Sequence, residues 1–186
     1  MSRNTLNLLI MKTELSFGGI ILHGIKLGIF NIISILVALI LWILTIWIPY
    51  INVGTTIGLL SIPIGMSKGN IMSPTEIFKG KYRQYMGEFF ILTGLKAQGL
   101  LPALLFLIIP YFILSLAWSQ STYLLLDKGV NPAEALTLSN KITNGHKAKI
   151  FFGKLVLTIL SFGILYPFFM MGANAYVYKS LSNEIE

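Results

Sequence analysis

The sequence contains no cysteine and is poor in charge. Without thiols, the protein has no disulfide framework, no thiolate nucleophile and no cysteine-based metal site. Charged residues make up 11% of its 186 residues, whereas about 25% is typical of soluble domains. Hydrophobic residues make up 55%. This balance predicts an integral membrane protein with a single domain.

The few charges present are mostly basic, with 14 Lys and Arg against 7 Asp and Glu. In a soluble protein this excess would suggest nucleic-acid binding. No module of alternating basic and aromatic residues accompanies it here, so we expect no nucleic-acid partner. In membrane proteins, basic residues concentrate in cytoplasmic loops, next to anionic lipid headgroups. We therefore expect the basic segments to face the cytoplasm.

The first hydrophobic region does not have the features of a secretory signal peptide. Arg3 and Lys12 precede it, but Glu14 interrupts the approach. The apolar region is also far longer than the 7–15 residues of a signal core, and no small-residue cleavage site follows it. We expect this region to remain in the mature protein.

Three long windows contain no ionisable Asp, Glu, Lys, Arg or His. They are residues 27–67, 97–126 and 155–178, which are 41, 30 and 24 residues long. One helical span needs about 20 apolar residues. The first window is therefore long enough to fold back on itself, and we predict hairpins at about 19–67, 86–126 and 148–182.

Uncharged turn signals lie inside each window. Ile48-Pro49-Tyr50 interrupts the first, Pro110 the second and Phe162-Gly163 with Tyr166-Pro167 the third. Trp42, Trp47 and Tyr50 cluster at the first turn, as expected of an aromatic belt at a membrane interface. Whether the last window is a hairpin or one kinked span decides between six segments and five, and hence the side on which the C-terminus lies.

The charged connectors, at about 68–85 and 127–147, orient these hairpins. Both carry more Lys and Arg than Asp and Glu, so the positive-inside rule places them, and the N-terminus, in the cytoplasm. Each connector also carries helix-capping signals. In the second, Asn131 precedes Pro132 and Glu134, and Gly145 ends the pattern. We predict amphipathic surface helices at about 73–82 and 131–143.

The two connectors resemble each other, which indicates one structural unit used twice. Residues 68–78 and 128–136 both read Lys-Gly, a short spacer, a capping residue, Pro, any residue, Glu and then apolar residues. Chance recurrence of capping boxes is the alternative. Within the first hairpin, Gly54 and Gly58 form a small-xxx-small pair that permits close packing, either inside the chain or between two copies.

These motifs resemble bacterial membrane-protein families of unknown function of the YciC and DUF975 type, which are similar to the membrane domain of some glycerophosphodiester phosphodiesterases. The matching segments are Phe78-Lys79-Gly80, Ile109-Pro110, Asp127-Lys128-Gly129, Pro132-Ala133-Glu134-Ala135-Leu136 with Ser139, Gly145-His146-Lys147, Ile150-Phe151-Phe152, Tyr166-Pro167-Phe168 and Ala175-Tyr176-Val177-Tyr178. The resemblance implies a bundle of six segments with both termini in the cytoplasm, and no established activity. The last hairpin is shorter than the family pattern, and the phosphodiesterase activity is not carried over to this sequence.

Residues that could carry chemistry are scarce. His23 and His146 are the only histidines, and neither has a second ligand at the usual spacing, so we expect structural or interfacial roles. We expect no catalytic residues, no cofactor and no metal. Candidate lipid-headgroup contacts are Lys96, Lys147, Lys149 and Arg83. A lysine that extends towards the interface is the alternative for Lys96.

The sequence therefore predicts an all-α polytopic membrane bundle of five or six segments with two short surface helices. The expected location is the bacterial inner membrane. The expected function is non-catalytic: a scaffold or accessory subunit that packs against lipids and other membrane proteins. A lipid or small-solute transporter or channel is the alternative, because short glycine-rich arms and broken helices are typical of transport folds. A polar group of residues 119–122 serves either contacts between helices or a substrate path.

Overall fold

The computed structural model describes residues 14–106 and 108–182, and all regular structure within them is helical, as predicted. The predictions that involve Arg3 and Lys12 lie outside the described residues. The helices are α1 (Phe17–Phe30), α2 (Ile32–Leu44), α3 (Pro49–Ser67), α4 (Met86–Phe106), α5 (Ile108–Ala117), α6 (Ser121–Lys128), α7 (Pro132–Thr143), α8 (Lys147–Leu160) and α9 (Tyr166–Ser182). Two 3₁₀ helices, Pro74–Phe78 and Gly80–Tyr85, lie between α3 and α4.

Two of the three predicted turns lie where the sequence places them. One separates α2 from α3 at Pro49, and the other separates α8 from α9. In the latter, Phe162 and Gly163 have positive φ angles of 46° and 80°. Pro110 does not mark a turn as predicted, because it lies within α5, which runs from Ile108 to Ala117. Pro110 lies in the first turn of α5, where its missing N–H leaves no hydrogen bond unmade.

Two further breaks were not predicted. The first lies at Asn31, where α1 and α2 meet at a bend of 71°. Asn31 donates from Nδ2 to the Leu27 carbonyl over 3.0 Å, so its side chain competes with the helical hydrogen bonds. The second separates α5 from α6 at residues 118–120. Neither Gly nor Pro occurs at residue 31 or at residues 118–120, so the sequence contained no turn signal at either break.

Length and composition allow two helical stretches to cross a membrane: Gly80–Phe106, of 27 residues, and Ile108–Lys128, of 21 residues. The bent pair α1–α2 makes a third if it is a single span. This number is lower than the five or six segments predicted. Helix α8, with 14 residues, would be about 21 Å long, which is less than the hydrocarbon thickness of about 30 Å.

Helices α1 and α9 form the centre of the packing and run antiparallel. Tyr176, near the end of α9, packs beside His23 in the first half of α1, with their rings stacked 4.4 Å apart. Phe168, near the start of α9, lies against Gly28 near the end of α1, where an added Cβ would come within 2.6 Å of the Phe168 carbonyl oxygen. The two helix backbones therefore touch directly, which requires glycine at this position.

The antiparallel packing of α1 and α9 brings the charged parts of the chain to one end of the molecule. Lys149 Nζ, at the start of α8, donates to the Leu15 carbonyl just before α1. Tyr178, near the end of α9, donates to Asp127 at the end of α6, and Asp127 pairs with Lys68 at the end of α3. We call this the charged end. The start and the finish of the described chain both lie there.

The first connector does not form the predicted surface α-helix at 73–82. It forms the two 3₁₀ helices, which pack along α3. An added Cβ on Gly58 would lie 2.7 Å from the Ile77 Cα, and one on Gly54 would lie 3.4 Å from the Arg83 Cγ. The glycine pair of α3 is thus used inside the chain. The predicted cap is not formed, because the Ser73 hydroxyl bonds the Thr75 hydroxyl over 3.0 Å and not a backbone N–H.

The second connector forms α7 with the predicted caps. The Glu134 N–H donates to Asn131 Oδ1 over 2.9 Å, and Gly145 follows with a φ of 78°. Glu134 accepts from the Asn131 side-chain amide, however, and not from a backbone N–H as the capping-box pattern predicted. One face of α7 is buried against α5 and α6, so α7 is a docked helix. The predicted position on a membrane surface therefore applies only to the exposed face of α7.

Candidate functional site

The four cationic residues predicted to contact lipid headgroups have different surroundings. Lys96 Nζ donates to Thr122 Oγ1 over 2.9 Å, which ties α4 to α6. Lys147 Nζ donates to Asn140 Oδ1 over 3.2 Å, and Lys149 bonds the Leu15 carbonyl. Arg83 is exposed and packs on Gly54. The structure therefore does not bring these four residues into one site.

The polar group at residues 119–122 takes part in contacts between helices. At the α5–α6 break, the Gln120 N–H donates to Ser139 Oγ over 3.1 Å, and Ser139 Oγ donates to the Ala117 carbonyl over 2.6 Å. Thr143 Oγ1 also reaches the Ala117 carbonyl, at 3.2 Å. The break frees these backbone groups, and two hydroxyls of α7 bind them. This use of Ser and Thr is typical of broken membrane helices.

A polar concavity at the charged end was not predicted from the sequence. It is a cavity of about 610 Å³ between the first connector, the second half of α3 and the end of α6. Three lysines line it, Lys68, Lys79 and Lys81, together with two carboxylates, Glu76 and Asp127. We call it the connector cavity. Its volume is within the range of about 300–1,000 Å³ typical of ligand pockets.

Glu76 lies in the wall of the connector cavity, with its side chain 12% exposed. Lys79 Nζ lies 2.6 Å from Oε2 and Lys81 Nζ 2.9 Å from Oε1. Tyr82 donates its hydroxyl to Oε1 at 3.4 Å. Burial acts to raise the pKa of the Glu76 carboxyl, but hydrogen bonds from Lys79 and Lys81 outweigh burial, so the pKa lies below its ordinary value. The carboxylate is therefore ionised at neutral pH and held by two cations.

Asp127 is the second recessed carboxylate, with its side chain 10% exposed. It lies in the last turn of α6, where the negative end of the helix dipole disfavours an anion. Both of its oxygens are engaged: Lys68 pairs with Oδ1, and the Tyr178 hydroxyl donates to Oδ2 over 2.7 Å. Tyr178 in turn packs edge-on against Tyr123, with ring centroids 5.7 Å apart. These contacts from α3 and α9 compensate for the unfavourable position.

A second, smaller cavity of about 230 Å³ adjoins this ion pair. Lys68 and Asp127 line both cavities, while Lys128 and Lys179 line only the smaller one. The Lys68–Asp127 pair therefore forms a shared wall. Across the two cavities, the cations are Lys68, Lys79, Lys81, Lys128 and Lys179, and the anions are Glu76 and Asp127.

The exposed and the buried charges of the connector cavity differ in sign. The side chains of Lys68, Lys79 and Lys81 are each more than half exposed, whereas both carboxylates are recessed behind them. A lysine ammonium has three N–H donors, and an ion pair uses one or two of them. The cavity therefore presents cationic donors to anything that enters it.

The described residues contain no cluster of three or more His, Asp and Glu residues that could hold a metal ion. His23 Nδ1 donates to the Gly19 carbonyl over 2.9 Å, within its own helix. The polar surface of the charged end is thus built from lysines, tyrosines and paired carboxylates, which suits binding by charge and hydrogen bonding.

Sequence reasoning missed the connector cavity because its residues come from three separated segments. Lys68 and Asp127 are 59 residues apart, and no spacing rule joins them. One signal was available. The first two apolar windows are each followed by charged residues and a glycine, Lys68-Gly69 and Asp127-Lys128-Gly129. This shared pattern indicated that the two sets of charges lie close together.

No family model matches this chain, and no curated protein and no solved structure matches it.

Proposed function

We propose that this protein is a non-catalytic integral membrane protein that packs against lipid and against other membrane protein subunits, as a scaffold or accessory subunit. The observation that carries the proposal is the exposure of α4. Of its described residues, Leu92 is the buried one. Phe90, Leu101 and Leu105 are 56%, 59% and 83% exposed. Water would penalise such a surface strongly, since exposed apolar area costs about 25 cal/mol per Å².

The finer membrane arrangement belongs to the same proposal. It has hairpins whose tips, near Trp47, Phe106 and Phe162, point away from the charged end, and it has six segments. The charged end with both connectors faces the cytoplasm of a bacterial inner membrane, in keeping with its excess of lysine. Helices shorter than the hydrocarbon thickness are accommodated by local thinning or by partners.

The test uses the absence of cysteine, because any introduced cysteine is then unique. A benzophenone photo-crosslinker is attached to Phe90→Cys, Leu101→Cys or Leu105→Cys in native membranes and in lipid nanodiscs. An accessory subunit gives protein adducts of discrete mass in native membranes at one or more of these positions, and lipid adducts in nanodiscs. Leu92→Cys is the buried control. If native membranes yield only lipid adducts at every position, the subunit role is wrong.

Transport of lipid or a small solute is the second candidate, and the first connector favours it. Irregular backbone alongside membrane helices is tolerated where it is buried in protein or lines a water-filled cavity. Residues 70–73 and the 3₁₀ helices of the first connector line a polar cavity between α3 and α6. Reconstituted liposomes with labelled lipid or solute test this function, and movement no faster than in empty vesicles would contradict it.

A further inference from the structure

We propose that the connector cavity binds the phosphate group of an anionic ligand, carried by a phospholipid headgroup or by a soluble phosphate ester. Phosphate oxygens accept several hydrogen bonds at once, and charge-assisted bonds from ammonium groups are among the strongest that they receive. Lys68, Lys79 and Lys81 provide such donors around one concavity.

The net charge supports an anionic ligand. Lysines outnumber carboxylates by three to two around the connector cavity, and the adjoining cavity adds Lys128 and Lys179. Helices α3, α6 and α9 all end here, and a helix C-terminus carries about −0.5 charge. Binding of an anion therefore depends on the donors that line the connector cavity itself, Lys68, Lys79 and Lys81.

Polar neutral groups complete the lining and set its chemistry. Asn70, Ser73, Gln84 and Tyr85 face the connector cavity, and each can donate a hydrogen bond to an oxygen anion. Carboxylates would repel an anion if they were exposed. Glu76 and Asp127 are recessed, and each already accepts from lysine and tyrosine, so the ligand meets donors first.

The position of the connector cavity allows both sources of phosphate. Residues Gly80–Tyr85, which supply part of its wall, lead directly into the apolar stretch of α4. Ile71 lines the cavity and is 64% exposed. A headgroup could thus enter with its acyl chains on the apolar surface, while a soluble ester could enter from the aqueous side.

The experiment measures binding to the full chain in nanodiscs of phosphatidylcholine. One arm titrates inorganic phosphate and glycerol 3-phosphate. The other arm replaces part of the phosphatidylcholine with phosphatidylglycerol. The shift of the thermal unfolding midpoint with ligand concentration gives an apparent Kd. We expect saturable stabilisation in at least one arm. Stabilisation by the soluble ligands, with or without stabilisation by phosphatidylglycerol, identifies a soluble ester as the ligand. Stabilisation by phosphatidylglycerol alone identifies a lipid headgroup.

The matched variants remove equal charge inside and outside the connector cavity. E76Q/K79Q/K81Q removes two cations together with the carboxylate that they hold, so no buried carboxylate is left unpaired. K26Q/E134Q/K141Q makes the same change in charge on α1 and α7, at residues that line neither cavity. We expect the cavity variant to weaken binding about 10-fold, which corresponds to about 1.4 kcal/mol, and the outer variant to change it less than twofold.

A milder variant keeps the test informative if the triple variant does not fold. Lys81→Gln leaves the Lys79–Glu76 pair in place and should weaken binding about fivefold, whereas K79R/K81R should retain it. The absence of saturable binding in both arms would overturn the proposal, and so would equal weakening by the two triple variants. Binding is measured on the isolated protein, so the result is independent of the accessory role and of transport.

Discussion

Gly58 is the residue where a single added carbon has the clearest expected effect. Its missing Cβ leaves room for the Ile77 backbone, which an added methyl group would meet at 2.7 Å from Cα and from the carbonyl oxygen. Backbone atoms cannot rotate aside as a flexible side chain can. We expect Gly58→Ala to lower the free energy of unfolding by roughly 1–3 kcal/mol, as overpacking does.

Gly94 is the matched control for Gly58, because it also lies inside a helix but has no atom within 4 Å of an added Cβ. There, alanine should leave stability unchanged or raise it by about 0.5–1 kcal/mol, since glycine is a poor helix former. Thermal unfolding in detergent, followed by circular dichroism, measures both variants. Equal melting temperatures for the two variants would show that Ile77 does not approach Gly58 this closely.

Glu76 makes stability depend on acid pH. Its pKa is lowered in the folded protein from an ordinary 4.5, because its pairs with Lys79 and Lys81 outweigh burial. An unfolded chain then binds more protons than the folded one just below pH 4.5, so stability falls as pH falls through this range. Above that range, the carboxylate is charged in both states and its contribution is complete.

We therefore expect Glu76→Gln to lower the melting temperature at pH 6, and this difference should shrink as the pH falls from 4.5 towards 3. Glu134→Gln, in an exposed helix cap, is the control. Melting curves across that pH series measure the effect. A difference between wild type and Glu76→Gln that is constant from pH 6 to pH 3 would contradict the ion-pair account.

At the scale of the element, α7 shows how far the sequence can predict this structure. Asn131, Pro132 and Gly145 marked the helix ends correctly, because capping is local chemistry that adjacent residues determine. Its packing was not local. Ser139 was noted in the sequence as part of a motif, yet its function, binding the backbone freed at Ala117, depends on a break 22 residues away.

The first connector shows the opposite case, in which local signals were overridden. Ser73, Pro74 and Glu76 have the same cap pattern as α7, and an α-helix was predicted from them. Close contact with Gly58 and Gly65 holds this segment against α3, where it forms 3₁₀ helices. The connector cavity depends on this tertiary contact, so neither the 3₁₀ helices nor the cavity could be predicted from the spacing of residues in the sequence.

Ser139→Ala tests whether α7 stabilises the broken arm α5–α6. The change removes the acceptor of the Gln120 N–H and one of two donors to the Ala117 carbonyl, both of which are buried. Buried groups left without a partner cost about 1–3 kcal/mol each. We expect the free energy of unfolding to fall by roughly 1–2 kcal/mol, because Thr143 still serves the carbonyl.

Thr137→Ala is the control for this substitution, since its exposed hydroxyl bonds only the Ala133 carbonyl of the same helix. It should change stability by less than about 0.5 kcal/mol, as exposed substitutions usually do. Chemical unfolding in a mixed-detergent titration compares the two variants with the wild type. If Ser139→Ala is as stable as Thr137→Ala, α7 does not hold the break.

At the scale of the whole molecule, the antiparallel packing of α1 and α9 constrains the topology. Tyr176 donates to the Glu14 carbonyl at 3.4 Å, so the end of α9 lies next to the start of α1. Asp127, Lys68 and Tyr178 meet at the same end. A chain that starts and finishes on one side of a bilayer crosses it an even number of times. An even number of crossings is therefore part of the proposed membrane arrangement.

Single-cysteine labelling tests that topology in cells. Thr137→Cys on α7 reports the second connector, and Ser182→Cys at the end of α9 reports the C-terminal side. With six segments and a cytoplasmic charged end, a membrane-impermeant maleimide labels neither variant in intact cells and labels both after permeabilisation. Labelling of Ser182→Cys alone in intact cells would mean an odd number of crossings between the two positions and would contradict the contact of Tyr178 with Asp127 at the charged end. Labelling of both variants in intact cells would instead invert the proposed orientation and place the connector cavity outside the cytoplasm.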